Sequence, residues 1–284
     1  MTATEQEKQV YGDRVEILSR DKDSAVYRIT ESDGDVVMSS YRVFEGIHLV
    51  YNDVHTAACN IERGKIGDIL EINHCREGRI ECSFKDEYLY LEPGDMSISN
   101  KHAAGHDSFF PTSHYHGITI MIDVEKAPAC LSCFLDDVNV SPAALSEKFC
   151  NKRQCFVARS ADYIEHIFSE LYSVRDSIRK GYFKIKVLEL LLFLSGMDAD
   201  STETAKHSYT PSQVLLAKRT CKFIAAHLSD RITISQLAAL FHVSETQLKK
   251  LLQGCLRHVC LRIYPFAEDE ISCTAVKKNG LHRP

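Results

Sequence analysis

No run of apolar residues in the 284-residue sequence approaches the length that crosses a membrane. Residues 190–194 form one of the longest such runs, whereas a spanning helix needs about 20 apolar residues. This absence excludes a protein anchored by transmembrane helices. The first ten residues, MTATEQEKQV, are polar and acidic and lack the apolar stretch of a secretory signal. We therefore expect a cytoplasmic protein without a signal peptide and without a membrane partner.

Signatures of common catalytic sites are absent as well. The sequence contains no glycine-rich phosphate loop, no G-x-S-x-G nucleophile motif and no carboxylate pair whose spacing suggests acid–base catalysis. We therefore predict no catalytic residue and no cofactor, and we do not expect an enzyme.

Cysteine, by contrast, is common. The chain has eleven cysteines and no secretory signal, which indicates reduced thiols in a cytosol. Cys130 and Cys133 have the CxxC spacing of zinc and redox sites. Because no second CxxC and no strand–helix redox context accompany them, the sequence favours two reduced structural thiols over either kind of site.

Charge is distributed unevenly along the chain. Residues 1–205 contain 22 Lys and Arg against 34 Asp and Glu, a net charge of −12, whereas residues 206–284 contain 12 against 5, a net charge of +7. A basic C-terminal part joined to an acidic N-terminal part fits a DNA-binding region attached to a soluble sensor.

Three helix starts can be recognised between residues 210 and 250. Each is a hydroxyl residue followed three positions later by Gln, the spacing of a capping box, in the pairs Thr210/Gln213, Thr233/Gln236 and Ser244/Gln247. Pro211 follows the first cap at a position where its missing N–H costs nothing. His242 and Val243 are predicted to form the turn before the third helix, since His tolerates the left-handed conformation better than most non-glycine residues.

The apolar spacing of these helices predicts which faces pack together. The predicted inward residues are Val214, Ala217, Cys221, Ile224 and Leu228 in the first helix, Leu237, Ala238 and Phe241 in the second, and Leu248 in the third. The outer face of the third helix carries polar and basic groups of the kind that contact base edges and phosphates. We expect DNA to be contacted by Ser244, Glu245, Thr246, Gln247, Lys249 and Lys250, with Arg231 as a phosphate contact. The alternative is a small helical bundle with a solvated charged face.

The motif resembles a known family. RITISQLA at residues 231–238 and FHVSETQLKK at 241–250 are similar to the first helix-turn-helix of the AraC/XylS family of bacterial transcriptional regulators. The resemblance implies a sequence-specific, effector-responsive regulator whose partner is double-stranded DNA. Members carry two such units joined by a long helix, and the units enter successive segments of the major groove.

The N-terminal region has the pattern of a β-structure. Residues 36–44, 47–51, 68–74, 78–84, 88–91 and 117–122 are short segments rich in Val, Ile and Tyr, separated by Gly, Asn and Asp, and EPGD at 92–95 is a turn signal. Such spacing suggests a barrel or a sandwich. EINH at 71–74, GRIE at 78–81 and YLYLEPGD at 88–95 resemble the cupin-type barrel that senses an effector in AraC-like regulators, which implies an unidentified small-molecule effector here.

Histidines in this region raise the question of a metal site. His114 and His116 are two residues apart, so in a strand their side chains would share a face, and His74, His102 and His106 are further candidate ligands. A catalytic cupin would place its His-x-His pair before the Pro-Gly turn, whereas this pair comes after it. The order therefore favours structural or hydrogen-bonded histidines, and we predict no metal.

A helical pair is predicted to follow the barrel. The first helix, 163–178, has an apolar face formed by Ile164, Ile167, Phe168, Leu171, Tyr172 and Ile178. Gly181 separates it from a second helix, 182–194, with Ile185, Leu188, Leu191 and Leu192 inward. The resemblance implies a dimer interface at this pair, which would suit paired DNA half-sites, and simple packing against the barrel remains an equal alternative.

The similarity to the family stops after Lys250. The remaining sequence loses helical periodicity and contains no second helix-turn-helix. We interpret this as a one-nucleotide insertion after Lys250, because codons for the tail can be chosen so that the neighbouring frame begins CFKVVFGMSVYAYTRL, the expected continuation. The nucleotide sequence of the gene tests this. One helix-turn-helix module buries only about 600–1,000 Å² on DNA, so we expect impaired DNA binding and a disordered tail.

These observations give an α+β protein with five regions. Residues 1–160 are a cupin-like sensor barrel, 161–196 a helical pair, 197–209 a linker, 210–250 the first helix-turn-helix and 251–284 an aberrant tail. The function expected is an AraC-type, DNA-binding transcriptional regulator that acts as a homodimer. The alternatives are a metal-dependent cupin enzyme and a ligand-binding or dimerisation module without DNA binding.

Overall fold

A computed structural model describes residues 3–61, 67–84, 87–101, 106–128, 140–151, 155–199, 209–227 and 232–256. The chain divides into two compact units, which are considered separately. The first comprises Met1–Phe84 and Leu89–Lys206, and the second comprises Lys85–Tyr88 and His207–Pro284. The first unit therefore holds both the β-rich region and the helices between that region and Lys206.

Two antiparallel sheets form most of the first unit. The larger has eight strands in the order β1-β2-β3-β4-β11-β6-β9-β12, and the smaller has four in the order β5-β10-β7-β8. The strands are β1 (Glu16–Arg20), β2 (Ser24–Glu31), β3 (Gly34–Phe44), β4 (Ile47–His55), β5 (Ala58–Ile61), β6 (Ile69–Gly78), β7 (Ile80–Phe84), β8 (Glu87–Leu91), β9 (Met96–Lys101), β10 (His106–Phe109), β11 (Tyr115–Asp123) and β12 (Cys155–Ala158).

Seven helices complete the described part of the chain. They are α1 (Glu5–Tyr11), α2 (Pro142–Cys150), α3 (Asp162–Leu171), α4 (Arg179–Gly196), α5 (Pro211–Ala226), α6 (Ile234–Leu240) and α7 (Glu245–Leu256). The predicted α+β class is therefore confirmed, with a large antiparallel sheet. Among the residues placed by the structure, no helix combines the length and the apolar character that a membrane crossing requires.

The eight-stranded sheet buries both of its faces, because successive side chains of a strand point to opposite sides. One face packs towards the smaller sheet in a core that includes Tyr27, Val54, Leu91 and Tyr115. The other face packs under α2, α3 and α4 in a second core that includes Ile47, Ile118 and Phe168. Alternate residues of β4 and β11 thus belong to different cores.

Four of the six predicted strands lie within observed ones. The segment 68–74 begins one residue before β6, and 78–84 spans the end of β6 and the whole of β7. The sequence did not single out β1, β2, β5, β9, β10 and β12. The turn predicted at residues 92–95 is present: Asp95 N–H donates to Glu92 O at 2.9 Å, and Gly94 has a φ of 87°. Glycine suits this position because it adopts positive φ without a steric penalty from Cβ.

The helical pair differs from the prediction in its breaks and in its inward face. Gly181 lies inside α4 and does not interrupt it, and the first helix ends at Leu171 instead of Ile178. Ile185 and Leu192, predicted inward, are 64% and 42% exposed. The residues of α4 that are buried are Phe183, Lys186, Val187, Leu190, Leu191 and Leu194. The prediction failed because α4 is apolar around most of its circumference, so spacing alone did not select a face.

Lys186 is the least expected member of that buried face. Its side chain is only 4% exposed, and its Nζ lies 3.1 Å from Glu170 Oε2 and 2.6 Å from Glu189 Oε2. These two carboxylates raise the pKa of Lys186, although burial alone, the largest single influence, would lower it. The lysine therefore stays charged within the helical pair.

Candidate nucleic-acid interface and candidate ligand sites

The helices of the second unit begin at the capping boxes predicted from the sequence. The Thr210 side chain accepts from Gln213 N–H, and the Gln213 side chain accepts from Thr210 N–H at 2.9 Å. Thr233 and Gln236 exchange the same two bonds at the start of α6, at 3.2 and 2.9 Å. At α7 the hydroxyl of Ser244 accepts from Gln247 N–H at 3.2 Å. Each helix start is thus fixed by its own sequence.

The turn between α6 and α7 is built on a left-handed residue. His242 has a φ of 55°, its N–H donates to Ala239 O at 3.3 Å, and Val243 N–H donates to Ala238 O at 3.0 Å. These two bonds are the pair that defines a Schellman C-cap. The turn therefore ends α6 and redirects the chain within three residues, and His242 occupies the position where glycine is common, as predicted.

Apolar side chains hold the three helices together. Leu237, Ala238 and Leu248, all predicted inward, are at most 4% exposed, and Val214, Ala217 and Ile224 of α5 are also buried. Cys221 and Phe241 are only partly buried, and Leu228 lies outside the described residues. The small side chain at Ala238 allows the close crossing of two helices that a tight turn imposes.

The third helix extends beyond the boundary predicted at Lys250. α7 continues to Leu256, and Leu251, Leu252 and Cys255 are buried. These residues follow Leu248 at spacings of three, four and seven, so they prolong its apolar stripe. The loss of periodicity expected from residue 251 thus does not apply to residues 251–256. The rest of the predicted tail, 257–284, lies outside the described residues.

The outer face of α7 begins with an unbroken exposed polar stretch. Ser244, Glu245, Thr246, Gln247 and Lys250 are exposed, and Lys249 is half-buried. Arg231, the predicted phosphate contact, lies outside the described residues. The face thus presents hydroxyl, amide, carboxylate and ammonium groups to solvent from the N-terminal half of a helix, the half that contacts base edges in helix-turn-helix proteins.

A polar ladder crosses the face of the eight-stranded sheet that is directed towards the smaller sheet. Asn52 donates to Thr119 Oγ1 at 2.8 Å, and Thr119 donates to Asn73 Oδ1 at 2.7 Å. These side chains come from the neighbouring strands β4, β11 and β6, and all three are partly exposed. Asn52 shares this face with the buried Val54, two residues further along β4, so the ladder is a partly exposed polar stretch on an otherwise apolar face.

His48 lies on the same face as this ladder. Its ring is half-buried, its Nδ1 lies 3.4 Å from Ser40 Oγ, and burial, assisted by the charge of Arg42, lowers its pKa. An imidazole whose pKa is lowered in this way is neutral near pH 7 and both donates and accepts hydrogen bonds. The inward face can therefore bind a small molecule through amide, hydroxyl and imidazole groups.

The structure brings His114 and His116 together with a third histidine, His55. A ligand nitrogen of each lies within 4.8 Å of the others. Two carboxylates border this group, which we call the histidine cluster. Asp53 Oδ1 is 2.8 Å from His55 Nε2 and 2.7 Å from His116 Nε2, and Glu77 Oε2 is 3.6 Å from His114 Nε2.

Of the other candidate ligands named from the sequence, only His74 has a described side chain, and it does not join the cluster. His74 is buried elsewhere, stacked on Phe168 with ring centroids 4.2 Å apart, and burial lowers its pKa to about 4. His102 lies outside the described residues, as do Cys130 and Cys133, and only the backbone of His106 is described. Sequence reasoning missed His55. His55 ends β4, and the pairing of β4 with β11 is what brings it close to His116.

Comparisons with known proteins give distant structural similarities. No protein-family profile matches the sequence. No curated protein matches it either. Among solved structures, the AraC-like transcriptional activator CuxR is similar over 88% of this chain and 84% of its own, with 16% identity and a TM-score of 0.38. ToxT from Vibrio cholerae is similar over 76% of this chain and 78% of its own, with 9% identity and a TM-score of 0.35.

An enzyme is also among the similar structures. An oxalate decarboxylase from Bacillus subtilis is similar over 40% of this chain and 28% of its own, with 12% identity and a TM-score of 0.24. At these identities and TM-scores none of the similarities assigns a function to this chain. The functional argument therefore rests on the residues themselves.

Proposed function

We propose that the chain is an effector-responsive transcriptional regulator of the AraC type that contacts double-stranded DNA through α7. The observation that carries this proposal is the α6–α7 arrangement. Two helices, each started by a hydroxyl cap, are joined by a turn at the left-handed His242, and the second presents its polar N-terminal half to solvent. A helical pair of this kind places its second helix in the major groove.

The polar residues from Ser244 to Lys250 each have a role in this proposal. Thr246 and Gln247 reach base edges, because hydroxyl and amide groups both donate and accept there. Lys249 and Lys250 contact phosphates, where a mobile ammonium suffices. Ser244 is already engaged as a cap, so its contribution is to fix the start of α7, and Glu245 discriminates among bases by accepting from cytosine. Arg231 is assigned a phosphate contact from the sequence.

We further propose that the affinity for DNA is low. The described residues contain one such helical pair, and a single module of this size buries about 600–1,000 Å² of protein surface on DNA. Intact members of the family that the sequence resembles use two. A frameshift after Lys250 would explain the lack of the second motif, and a dimer would partly compensate by pairing two α7 helices.

Fluorescence anisotropy with a mixed-sequence duplex tests the DNA contact. Lys250→Ala should weaken binding of the full chain at every sequence and reduce the slope of log affinity against log salt by about 1. Lys222→Ala is the matched control, since Lys222 is an exposed lysine of α5 in the same unit. The proposal fails if Lys222→Ala has the same effect as Lys250→Ala, or if neither changes binding. Nanomolar, sequence-specific binding by this chain would contradict the low affinity.

We propose that the effector binds on the inward face beside the polar ladder Asn52–Thr119–Asn73. The support is the combination of partly exposed amide and hydroxyl groups with buried apolar neighbours, the composition of small-molecule sites. His48 and Ser40 add two further hydrogen-bonding groups on this face. Such a site suits a small ligand with several hydrogen-bonding groups and little charge.

A homodimer completes the proposal. The exposed side of α4 carries Ile185 and Leu192, and Leu188 between them is partly exposed. Their spacing of three and four residues puts them on one stripe of the helix. A second copy would present the same stripe, and a two-fold interface requires this self-complementarity. A dimer formed here would hold two DNA-binding units for two half-sites.

A further inference from the structure

The histidine cluster lies on the opposite side of the sheet from the proposed effector site. Asp53 and His55 alternate on β4 with Val54, and His116 follows Tyr115 on β11, and both Val54 and Tyr115 are buried in the core between the two sheets. Since side chains alternate along a strand, the cluster points away from that core. It is therefore separate from the inward polar ladder.

Strand register brings the members of the cluster together. His116 is the cross-strand partner of Asp53 on β4 and of Glu77 on β6, so its imidazole has a carboxylate on either side. His55 lies two residues beyond Asp53 on the same face. His114 comes from the turn before β11, where Ser113 has a φ of 51° and Thr112 Oγ1 donates to His114 O at 2.7 Å. The backbone holds all three rings from fixed elements.

The ring arrangement is compact. The centroids of His114 and His116 are 4.4 Å apart, those of His55 and His114 are 5.3 Å apart, and those of His55 and His116 are 5.6 Å apart. Zn–N bonds are about 2.0–2.1 Å long, so three tetrahedral nitrogen ligands stand roughly 3.4 Å from one another. The ligand nitrogens here lie within 4.8 Å, a gap that rotation of side chains one-third to one-half exposed can close.

We propose that His55, His114 and His116 bind a divalent transition-metal ion such as Zn²⁺. Imidazole is a preferred ligand of zinc, copper and nickel, and three protein nitrogens leave a further position for water or a carboxylate. Magnesium and calcium are disfavoured, because they prefer sites made of oxygen ligands.

The carboxylates of Asp53 and Glu77 supply what such a site needs beyond its ligands. Two carboxylates beside the histidines offset the charge of a dication. A neutral imidazole that donates its Nε2–H to Asp53 retains a lone pair on Nδ1, and carboxylates commonly orient metal-bound histidines in this way. Ion pairs bring His55 and His116 to Asp53 and His114 to Glu77, and the approach of one ring nitrogen from each histidine to within 4.8 Å of the others is the observation that supports a shared ion.

A bound ion would tie together segments that are distant in sequence. It would join the end of β4 to the start of β11 and to the turn that carries His114. This proposal departs from the expectation, based on the order of the histidines along the chain, that no metal binds. That expectation considered inward-facing cupin ligands, whereas the cluster faces outward and uses a histidine from a neighbouring strand.

Calorimetric titration of the full reduced chain with Zn²⁺ tests the proposal. His55→Gln and His116→Gln should each bind one equivalent fewer than the wild type, or bind that equivalent at least tenfold more weakly. Asp53→Asn should retain it with an affinity about 10–100-fold lower, as expected for a residue that orients the ligands. His166→Gln is the control, because His166 is an exposed histidine of α3 outside the cluster. Other sites, including thiols, bind Zn²⁺ equally in all variants. The readout is therefore the difference in stoichiometry and affinity between each variant and the wild type.

Equal stoichiometry and affinity in the wild type, His55→Gln and His116→Gln would overturn the proposal. A second measurement uses only the wild-type protein, so its result does not depend on whether a variant folds correctly. Zn²⁺ should protect His55, His114 and His116 of the wild type from diethyl pyrocarbonate while His166 remains reactive, as read by mass spectrometry. Unchanged modification of the three cluster histidines would equally contradict the site.

Discussion

The turn between α6 and α7 depends on the backbone of a single residue, His242. A left-handed conformation costs an L-residue about 1–2 kcal/mol, although His is among the residues that adopt it more often. His242→Gly should therefore leave the free energy of unfolding of the second unit unchanged or raise it by up to about 1 kcal/mol. His242→Val should lower it by about 1–2 kcal/mol, because a β-branched side chain is strained at positive φ.

Urea unfolding monitored within the second unit measures both changes. Ala239→Gly is a useful comparison, since this exposed position in α6 has ordinary helical geometry and glycine there should cost about 1 kcal/mol. If His242→Gly lowers the free energy of unfolding as much as Ala239→Gly does, the left-handed backbone does not determine which residues are tolerated at position 242.

A buried imidazole at His74 should make the first unit sensitive to acid. The ring is 1% exposed, its pKa is lowered to about 4 by burial, and in the unfolded chain it returns to about 6.5. Between these values the unfolded state binds a proton that the folded state does not. Stability is therefore complete above pH 6.5 and falls as the pH drops towards 4, by up to about 3 kcal/mol.

The variant His74→Phe isolates this contribution. Phenylalanine retains the stack on Phe168 and does not titrate, so the loss of stability between pH 6.5 and 4 should be smaller than in the wild type. The reference value is the difference in the free energy of unfolding between the two proteins at pH 7.5, where neither side chain is charged. An identical pH dependence of unfolding in both proteins would show that His74 is not the titrating group.

At the scale of single elements, the short helix α6 depends on its caps. It has seven residues, too few to be stable alone, and Thr233 and Gln236 satisfy its first N–H groups reciprocally. Thr233→Ala should lower the free energy of unfolding of the second unit by about 1 kcal/mol, whereas Thr233→Ser should lower it by much less, since the hydroxyl remains. Chemical denaturation measures the loss of unfolding free energy in each variant. Equal losses in Thr233→Ala and Thr233→Ser would mean that the hydrogen bond to the hydroxyl does not stabilise α6.

The apolar stripe of α4 leads to a prediction about assembly. Ile185→Glu combined with Leu192→Glu should convert a dimer into a monomer without unfolding the chain, because both positions are exposed within a single copy. Leu215→Glu makes the same chemical change at a leucine of α5 that is 58% exposed and outside the stripe, so it should leave the dimer intact. Sedimentation velocity measures the outcome. A persistent dimer in the double variant would exclude this interface.

Sequence patterns identified elements where local chemistry decides the structure. Two capping boxes, the left-handed His242 and the Pro-Gly turn at residues 92–95 are encoded within four residues each, so they could be predicted. The buried face of α4 could not, because Ile185, Leu188 and Leu192 compete with Val187, Leu190 and Leu191 on a nearly all-apolar helix. Only packing against the sheet selects between them.

The histidine cluster shows a second limit of sequence reasoning. His55 is about 60 positions from His114 along the chain, and their proximity follows from the pairing of β4 with β11. Register is set by the whole sheet, so no local pattern predicts which residues face each other across it. Only the His114-x-His116 part of the cluster could be recognised from adjacent sequence.

At the scale of the whole molecule, the charge distribution agrees with the division into two units. Net negative charge is concentrated in residues 1–205 and net positive charge in residues 206–284. Residues 206–284 would attract a polyanion, whereas residues 1–205 would repel it. This long-range field favours a DNA contact in the C-terminal part but does not select a surface there. In the proposed function, the polar face of α7 supplies that selection.

The central claim is that DNA contacts the chain through the N-terminal half of α7. Titrating the isotope-labelled full chain with a mixed-sequence duplex, and following amide chemical shifts by NMR, tests this most directly, since weak binding is readily mapped in this way. We predict progressive shifts concentrated at residues 244–250. The shifts at these residues should be smaller when the same titration is carried out with Lys250→Ala. Shifts centred on α4 or on the first unit, or no shift at residues 244–250 when the duplex is saturating, would contradict the account.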